Sequence, residues 1–350
     1  MTDALLRGEY LYEEVYPAFK EGTDEKKKTA QLNWIFLKCL AEAGVGFSEQ
    51  APLKIADIGC GPADTVINYL KGVDYRPGFS IRAVDFLADY AGPGGKAAAN
   101  LSAAQHSGTL KIEAYSVRQG NAFGGRLTEL LATQEDPEPR NSFDFSFLSH
   151  MMYHAHAQAD IDTVLRDVAY NILNQEAAGI LYHVASRTPR TFQYFRDRYG
   201  SRADNTRLTD TPTMDIHNPP AVIEESCRRN RIPCFHLDFS AQLFFHSLAP
   251  ETWQAFKNPA RYAALAESDP QAYEDLKRLY FIVQRSPTEF AQDSSRTGLS
   301  DYIDEISEEI GKNQGSLLLE ETLQTICPPE ASSAFQRKVE SALETTRERS

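Results

Sequence analysis

The chain has 350 residues, of which 42% are hydrophobic and 24% charged, and its formal net charge is −13 at pH 7. This length buries a sizeable core, and the composition is ordinary for a soluble protein, so we expect one catalytic domain with additions. Because phosphate binding needs clustered Lys and Arg, a nucleic-acid partner is disfavoured, and a small or cationic substrate is the simpler expectation.

Cysteine usage and the first residues point to a reducing compartment. The five cysteines are scattered without a Cys-x-x-Cys pair, so the sequence suggests neither a zinc knuckle nor a disulfide framework. The amino-terminal residues lack the apolar core of a signal peptide, and no apolar run is long enough to span a bilayer. We therefore expect a cytoplasmic protein that binds no membrane.

The predicted elements begin with a helical cap over residues 1–50 and continue as an alternation of strands and helices from Leu53 onward. Such an alternation predicts an α/β fold with a doubly wound parallel sheet. The predicted strands lie near residues 53–58, 79–85, 110–116, 143–149, 178–185, 232–239 and 279–284. The predicted helices lie near residues 62–71, 94–106, 122–133, 158–174, 189–199 and 219–230.

The last two predicted strands are separated by roughly forty residues, a length that suggests a lid rather than a plain connection. The predicted organisation is therefore a cap (1–50), a catalytic domain (51–287) with substrate-lid insertions (200–278), and an acidic helical carboxyl-terminal extension (288–350). Amphipathic helices near 300–311 and 331–346 are expected to pack on the catalytic domain, or on a second subunit in a homodimer.

The most informative stretch is residues 53–64, Leu-Lys-Ile-Ala-Asp-Ile-Gly-Cys-Gly-Pro-Ala-Asp, where an apolar strand ends in an acid and two glycines. Gly59 and Gly61 can adopt φ > 0 and let a ligand approach the backbone. A second strand ends on Asp85, where an acid is placed to bind the two hydroxyls of a ribose. The pair predicts an adenosine site; the alternative is a tight strand-to-helix turn without a ligand.

The residues around the two glycines are compared with the fingerprints of two cofactors, a dinucleotide and S-adenosylmethionine. A dinucleotide fingerprint would have a third glycine where this chain has Ala63 and Asp64, whereas here an acid, Asp57, stands two positions before the first glycine. This Asp-x-Gly-x-Gly pattern resembles the first motif of class I S-adenosylmethionine-dependent methyltransferases. The resemblance implies a Rossmann-like seven-stranded class I methyltransferase sheet, S-adenosyl-L-methionine as cofactor, and Asp57 near its methionine moiety.

Four further blocks are similar, in the same order, to histamine N-methyltransferases, a family that acts on small imidazole amines. The blocks are Tyr12-Glu-Glu-Val-Tyr16-Pro-Ala-Phe19 followed by Thr23 and Asp24, Phe143-Asp144-Phe145 leading to Met151 and Tyr153, Tyr199-Gly200-Ser201-Arg202, and Leu279-Tyr-Phe-Ile-Val283 as a final strand. The tail from about residue 290 has no counterpart in this resemblance.

Carried over by position, the resemblance implies a set of cofactor contacts and two substrate contacts. The cofactor contacts are Asp57, Gly59, Gly61, Asp85, Tyr90, Gly120, Asn121 and Ser149. Asp24 would meet the amine of the substrate, at a position where the family has a longer glutamate. Lys277 falls where the family has an asparagine, and a cation there favours a substrate that bears a carboxylate over histamine itself. The predicted reaction is methyl transfer to a small-molecule acceptor, most simply a nitrogen of an amine, an imidazole or an amino-acid-like compound.

Aromatic residues suit this reaction, because methyl transfer from a sulfonium needs alignment, exclusion of water, and faces that stabilise a cation without acting as nucleophiles. The substrate-binding candidates are Tyr12, Tyr16, Phe19 and Tyr182, and Tyr153 is a candidate in the catalytic group. The alternative is that these rings belong to the cap and the core.

Histidines are densest at His150, His154 and His156, but no obvious third ligand accompanies the first two, so no metal is predicted. His150 and His154 are either core and pocket-lining residues or a base that keeps the substrate amine neutral. Two other functions stay open. In one, the chain uses S-adenosylmethionine for an intramolecular cyclisation that yields methylthioadenosine; in the other, it is a non-catalytic adenosine-binding module.

Overall fold

The computed structural model describes residues 4–9, 11–45, 47, 50–185, 190–199, 219–246, 250–290, 292 and 299–350. The chain divides into two compact units, each built from three segments. The sheet unit comprises Lys26–His183, Thr213–Phe239 and Thr322–Ser350, and the helical unit comprises Met1–Glu25, Val184–Pro212 and Ser240–Glu321.

The strands form one seven-stranded sheet in the part of the chain that is described. They are β1 (Leu53–Ile58), β2 (Phe79–Asp85), β3 (Ile112–Gln119), β4 (Phe143–Ser149), β5 (Leu173–Ala185), β6 (Cys234–Phe244) and β7 (Ser316–Ile326). Their order is β3-β2-β1-β4-β5-β7-β6, and β1 to β5 pair in parallel. The predicted Rossmann-like seven-stranded sheet is confirmed.

The seventh strand runs opposite to the sixth. Phe245 N donates to Gly315 O (2.9 Å) near the end of β6, and Cys327 N donates to Pro233 O (3.0 Å) near its start. A strand in this orientation can follow its neighbour without the helical crossover that a parallel strand requires. The carboxyl-terminal extension, predicted to be helical, therefore contains the strand that completes the sheet.

Helices occupy most of the remaining described residues. They are α1 (Tyr12–Gly22), α2 (Glu25–Glu42), α3 (Asp64–Leu70), α4 (Ala88–Ala91), α5 (Lys96–His106), α6 (Leu127–Leu130), α7 (Gln158–Asp167), α8 (Phe192–Tyr199), α9 (Pro219–Arg229), α10 (Pro250–Lys257), α11 (Tyr262–Ser268), α12 (Pro270–Val283), α13 (Leu299–Lys312) and α14 (Ser333–Arg349). The helix predicted near 122–133 is two short turns instead, Ala122–Gly124 and Leu127–Leu130.

The strand predicted at 279–284 is wrong, because residues 279–283 belong to α12 and Gln284 is its C-cap. Pro270 starts the helix, and the Asp269 carboxylate caps it by accepting from Ala272 N (3.0 Å). Leu279 and Val283 are buried in the helical unit. A short apolar run that is buried on all sides fits a strand and a buried helix equally well, so the cap upstream decides the structure.

The central strands of the sheet are buried on both faces. In β1, Leu53 and Ile55 join one apolar cluster, whereas Ala56 and Ile58 join another. The first cluster includes residues of α2, α3, α5 and α14, and the second includes residues of α6, α7 and α9. Two covered faces explain why β1 is an almost continuous apolar run rather than an alternation of apolar and polar residues.

The helical unit has its own aromatic core, in which α1 packs on α12. The rings of Phe19 and Phe281 stack with centroids 4.3 Å apart. Arg278 is buried, donates from Nε to Ala18 O (2.9 Å), and pairs with Asp275. Since a buried charge needs a partner, Arg278 and Asp275 compensate each other in this core.

The two tail helices pack within the chain, as their apolar spacing predicted. Ile306 and Ile310 of α13 are buried in the core of the helical unit, and Val339 and Leu343 of α14 are buried in the core of the sheet unit. The apolar side chains on which the predicted homodimer contact rested are therefore covered by the chain itself. Among the described helices, none is long and apolar enough to cross a membrane.

We expect Leu343→Ala to lower the free energy of unfolding by about 2–5 kcal/mol, because it opens a cavity in the core beneath α14. Leu343 is 4% exposed, whereas the neighbouring Glu344 is exposed. Glu344→Ala is therefore the matched control and should change stability by less than about 0.5 kcal/mol. Urea denaturation measures both variants, and equal effects would show that the tail does not contribute to the core.

Candidate functional site

The glycine loop, residues 59–63, follows β1 and is held to the neighbouring strand β2 by backbone hydrogen bonds. Gly59 N and Cys60 N both donate to Val84 O, at 2.8 and 3.1 Å. Gly59 and Gly61 have φ of +71° and +52°. A Cβ at Gly59 would lie 2.7 Å from Met151 Cβ, whereas one at Gly61 would meet no atom within 4 Å. Gly59 is thus needed for packing, and Gly61 borders open space.

Ala63 stands at the position of the missing third glycine and also adopts the left-handed conformation, with φ of +61°. It precedes α3 as its N-cap residue, and its side chain is buried. A left-handed alanine costs free energy that a glycine would not, and such strain persists only where the surroundings enforce it. The loop is consequently held in one shape by its neighbours.

Asp85 is the side chain that holds the loop. Its Oδ2 accepts from Gly61 N (2.8 Å), and its Oδ1 accepts from Leu87 N (2.9 Å). The carboxylate is 6% exposed. A carboxylate has about four lone-pair sites, so these two bonds leave acceptor capacity for further donors. The predicted ribose contact is not tested by these bonds, but Asp85 has a second task that the sequence pattern did not reveal.

Asp57 lies at the end of β1, is 4% exposed, and has an Oδ2 without a hydrogen-bond partner in the described residues. Burial, together with the neighbouring carboxylates Asp85 and Asp64, raises the pKa of Asp57 to about 8. A buried carboxyl group that lacks a partner is costly in its charged form. A ligand that brings a cation or hydrogen-bond donors to this atom would remove that cost.

Residues after β4 face the same end of the sheet. His150 has a φ of +53°, and its N donates to Tyr182 O (3.0 Å). Its ring stacks on Tyr153, with centroids 6.2 Å apart. A left-handed histidine is uncommon, and residues in such conformations cluster at functional sites. The structure therefore brings two of the three catalytic candidates together.

The third catalytic candidate, His154, lies against Phe86, which follows Asp85. The ring centroids of His154 and Phe86 are 6.0 Å apart, and Nδ1 of His154 is buried without a hydrogen-bond partner in the described residues. Burial lowers the pKa of His154, and Asp85 opposes this shift. The imidazole is accordingly neutral at pH 7, with one nitrogen available to donate or accept.

The remaining predicted cofactor residues mostly shape the site through the backbone. Gly120 N donates to Asp85 O (2.8 Å), and a Cβ at Gly120 would lie 2.3 Å from Leu130 Cδ2. Asn121 accepts from Phe123 N (3.0 Å) and caps the turn after β3. Tyr90 lies 6.0 Å from the ammonium of Lys96. These residues all follow β2 or β3, at the same edge of the sheet as Asp57.

A network of hydrogen bonds connects the predicted residues Ser149 and Tyr182 with two residues that the sequence did not indicate, Tyr69 and Asn33. Ser149 Oγ donates to Tyr69 OH (3.2 Å), and Tyr182 OH donates to Asn33 Oδ1 (3.0 Å). Asn33 Nδ2 donates to Tyr69 O (3.3 Å). Tyr182 is fully buried, and burial raises its pKa well above the ordinary value. In this structure Tyr182 is a core residue, and its predicted substrate contact stays a prediction.

The other substrate candidates belong to the helical unit. Asp24 accepts from Gln242 N through Oδ1 (2.7 Å), and Phe19 and Tyr16 stack 6.2 Å apart. Lys277 pairs with Glu274 (2.8 Å) and lies 5.0 Å from the Tyr273 ring. The Tyr12 side chain and the turn residues 200–202 lie outside the described residues.

No protein-family model matches the chain, and no curated protein matches it. It is similar in structure to the YcgJ protein from Bacillus subtilis, with a TM-score of 0.44 and 13% identity over 83% of this chain and 97% of that one. A S-adenosylmethionine-dependent methyltransferase from Methanosarcina mazei gives a TM-score of 0.37 and 15% identity over 55% and 85%. The Haemonchus contortus phosphoethanolamine N-methyltransferase 2, solved with S-adenosylhomocysteine, gives 0.37 and 11% over 84% and 52%.

Asp57 gives the free protein a pH-dependent stability of known sign. Its pKa is raised from 3.8 to about 8 on folding, so between these values the native state holds a proton that the unfolded state has lost. Stability is therefore full below the unfolded pKa and is lost as pH rises through the folded one. Asp57→Asn should remove this loss, so that the variant becomes progressively more stable than the parent from about pH 4 to about pH 8, between the unfolded and folded pKa values.

Calorimetric melting in the absence of ligand measures this difference. Asp74→Asn, at an exposed carboxylate of the same unit, is the control and should follow the parent at every pH. Parallel melting curves for Asp57→Asn and the parent would show that Asp57 ionises normally.

Proposed function

We propose that the chain is a methyltransferase that uses S-adenosyl-L-methionine and acts on a small-molecule acceptor. The observation that carries this proposal is the glycine loop fixed by Asp85, with open space in front of Gly61 and, at the end of β1, a buried Asp57 Oδ2 that has no hydrogen-bond partner in the described residues. A ligand with an adenosine end and a cationic amino-acid end requires such a loop, a buried acid for its cation, and open space in front of the backbone.

The chain's own residues fit such a cofactor. Asp85 retains lone pairs for a ribose, and Asp57 offers a buried acceptor to an ammonium group. Gly61 lets the backbone approach the ligand without a side chain between them. When bound, the cofactor would supply an electrophilic methyl group; the protein's part is to bind it, align the acceptor and exclude water.

The proposed acceptor is a nitrogen of an amine, an imidazole or an amino-acid-like compound. Its support is the position of Asp24 in an aromatic block and the net charge of −13, which does not repel cations. His154 is neutral at pH 7 and is a candidate base that keeps an amine in its nucleophilic form.

The same histidine favours a second candidate function, in which a base near the cofactor promotes cyclisation of the cofactor's own aminobutyrate arm. Product analysis separates the two: methyl transfer yields S-adenosylhomocysteine and a methylated acceptor, whereas cyclisation yields methylthioadenosine without any acceptor. A panel of imidazoles, amines and amino acids, screened for both adenosine products, is the direct experiment.

Gly61→Ala should weaken S-adenosylmethionine binding at least about tenfold, because the new methyl group enters the open space where the ligand approaches. Gly108→Ala is a matched control: both glycines have φ > 0, at +52° and +70°, and at neither would a Cβ meet an atom within 4 Å. Both variants carry a similar backbone strain of about 1 kcal/mol. Isothermal titration calorimetry with equal affinities for the two variants would remove the glycine loop from the binding site.

Asp24→Asn should raise the acceptor KM about tenfold or more and leave the Kd of S-adenosylmethionine unchanged. Asparagine keeps an oxygen that can accept from Gln242 N, so the variant removes the charge but preserves the local bond. Steady-state kinetics on the best acceptor of the panel measures the effect. An unaltered KM, or turnover of oxygen or carbon acceptors alone, would contradict an amine methyltransferase.

A further inference from the structure

A cavity opens on the sheet unit at the amino-terminal ends of β2 and β3. Its volume is about 530 Å³, which lies within the range of cavities that hold small organic ligands. Its lining residues come from two segments, 71–79, which leads into β2, and 109–111, which leads into β3. The glycine loop follows the carboxyl end of β1, which is parallel to β2. The cavity therefore lies at the opposite edge of the sheet, about 20 Å away by the length of β2.

Four of the side chains that line the cavity are apolar or aromatic. Phe79 and Leu110 are buried, whereas Val73 and Tyr75 are partly buried. Tyr75 OH donates to Ala51 O (2.7 Å), which ties this ring to the segment before β1. The apolar body of a ligand would find contacts here without displacing a polar group.

Three cationic side chains line the same cavity, although they lie apart in the chain: Lys71, Arg76 and Lys111. Lys71 Nζ donates to Asn68 Oδ1 (2.7 Å). Lys111 Nζ donates to Arg76 O (2.7 Å) and lies 3.3 Å from Glu113 Oε1. The Arg76 guanidinium has no hydrogen bond or ion pair with any residue that the structure describes. Its N–H donors are therefore available to a ligand.

Two acids are counted against these cations. Asp74 lines the cavity, and Glu113 pairs with Lys111. Three cations against two acids leave one net positive charge, on a chain whose formal net charge is −13. More distant acids are screened beyond about 10 Å at physiological ionic strength, so the local excess of positive charge decides what the cavity attracts.

The turn that carries Arg76 is fixed by backbone hydrogen bonds. Gly78 N donates to Tyr75 O (3.0 Å) and closes the turn, and Phe79 N donates to Lys111 O (2.9 Å). The second bond joins the two segments that line the cavity. A site whose backbone is already held in place pays less ordering entropy when a ligand binds.

We propose that this cavity binds a small organic phosphate, a phosphate monoester with a compact apolar body. The planar guanidinium of Arg76 suits two phosphate oxygens, and Lys71 and Lys111 add point charges. The apolar side chains contact the ester group. Because α/β sheets bind their cofactors at the carboxyl ends of the strands, this site is separate from the glycine loop, and the inference does not depend on the proposed function.

Calorimetry on the full chain with three probes tests the proposal: phenyl phosphate, inorganic phosphate and phenol. Phenyl phosphate should bind at least about tenfold more tightly than either of the others, because it alone engages both the cations and the apolar side chains. Binding of phenyl phosphate no tighter than inorganic phosphate would show an adventitious ion only and overturn the proposal.

Variants separate the two halves of the cavity. Arg76→Gln should weaken phenyl phosphate about tenfold, and Arg76→Lys, which keeps the charge but not the planar donor pair, should weaken it less. Val73→Ala should weaken phenyl phosphate about threefold and leave inorganic phosphate unchanged. Arg140→Gln is the matched control, since Arg140 is also exposed and without a side-chain bond to a described residue, but precedes β4 and does not line the cavity. Melting temperatures verify that the variants are folded.

The outcomes distinguish this site from a general attraction of anions and from the proposed function. Equal losses in Arg76→Gln and Arg140→Gln would overturn the proposal. Binding of phosphatidylglycerol vesicles or of an oligonucleotide that depends on Arg76, without binding of phenyl phosphate, would assign the cations to a macromolecular surface and also overturn it. A chain that binds phenyl phosphate through Arg76 but not S-adenosylmethionine would keep this inference and lose the proposed function.

Discussion

The hydrogen bond from Gly61 N to the Asp85 carboxylate is the interaction on which the candidate site depends. It ties the loop after β1 to the end of β2, and it acts together with the backbone bonds from Gly59 and Cys60 to Val84 O. A hydrogen bond to a charged acceptor is stronger than a neutral one, and here it lies in a largely buried position. That strength explains how the loop keeps a left-handed alanine at Ala63.

This arrangement sets the energetics of Asp57. With Asp85 committed to the loop and Asp64 nearby, the charge on Asp57 is opposed by burial and by two like charges. Because Oδ2 of Asp57 has no hydrogen-bond partner among the described residues, its burial costs the free protein stability. Groups that break a local rule without a compensating contact are expected at functional sites, where the missing partner is a ligand.

Local sequence patterns were sufficient to locate the residues of the candidate site that lie close together in the chain. Asp57, Gly59 and Gly61 share one strand-to-helix connection, and Asp85 ends the next strand, so alternation and glycine spacing locate them. Contacts between distant residues have no such signal. The Tyr182 hydroxyl meets Asn33 across 149 positions, and Asp24 meets Gln242 across 218. Likewise, β7 was missed because Glu320 and Glu321 interrupt its apolar run, and the uninterrupted run at 279–283 looked more like a strand.

The order of the sheet gives these errors a common cause. The final two strands are drawn from residues 234–244 and 316–326, and the intervening segment builds the core of a separate helical unit. Such a segment is long for a strand connection, but it carries its own apolar core and so is not a loop. A prediction made from one apolar run at a time assigns the buried helix α12 to the sheet. Burial makes its run at 279–283 continuously apolar, and the helical period is not visible in it. The end of the sheet that carries the glycine loop is unaffected, since β1 to β4 precede the insertion and pair in parallel without it.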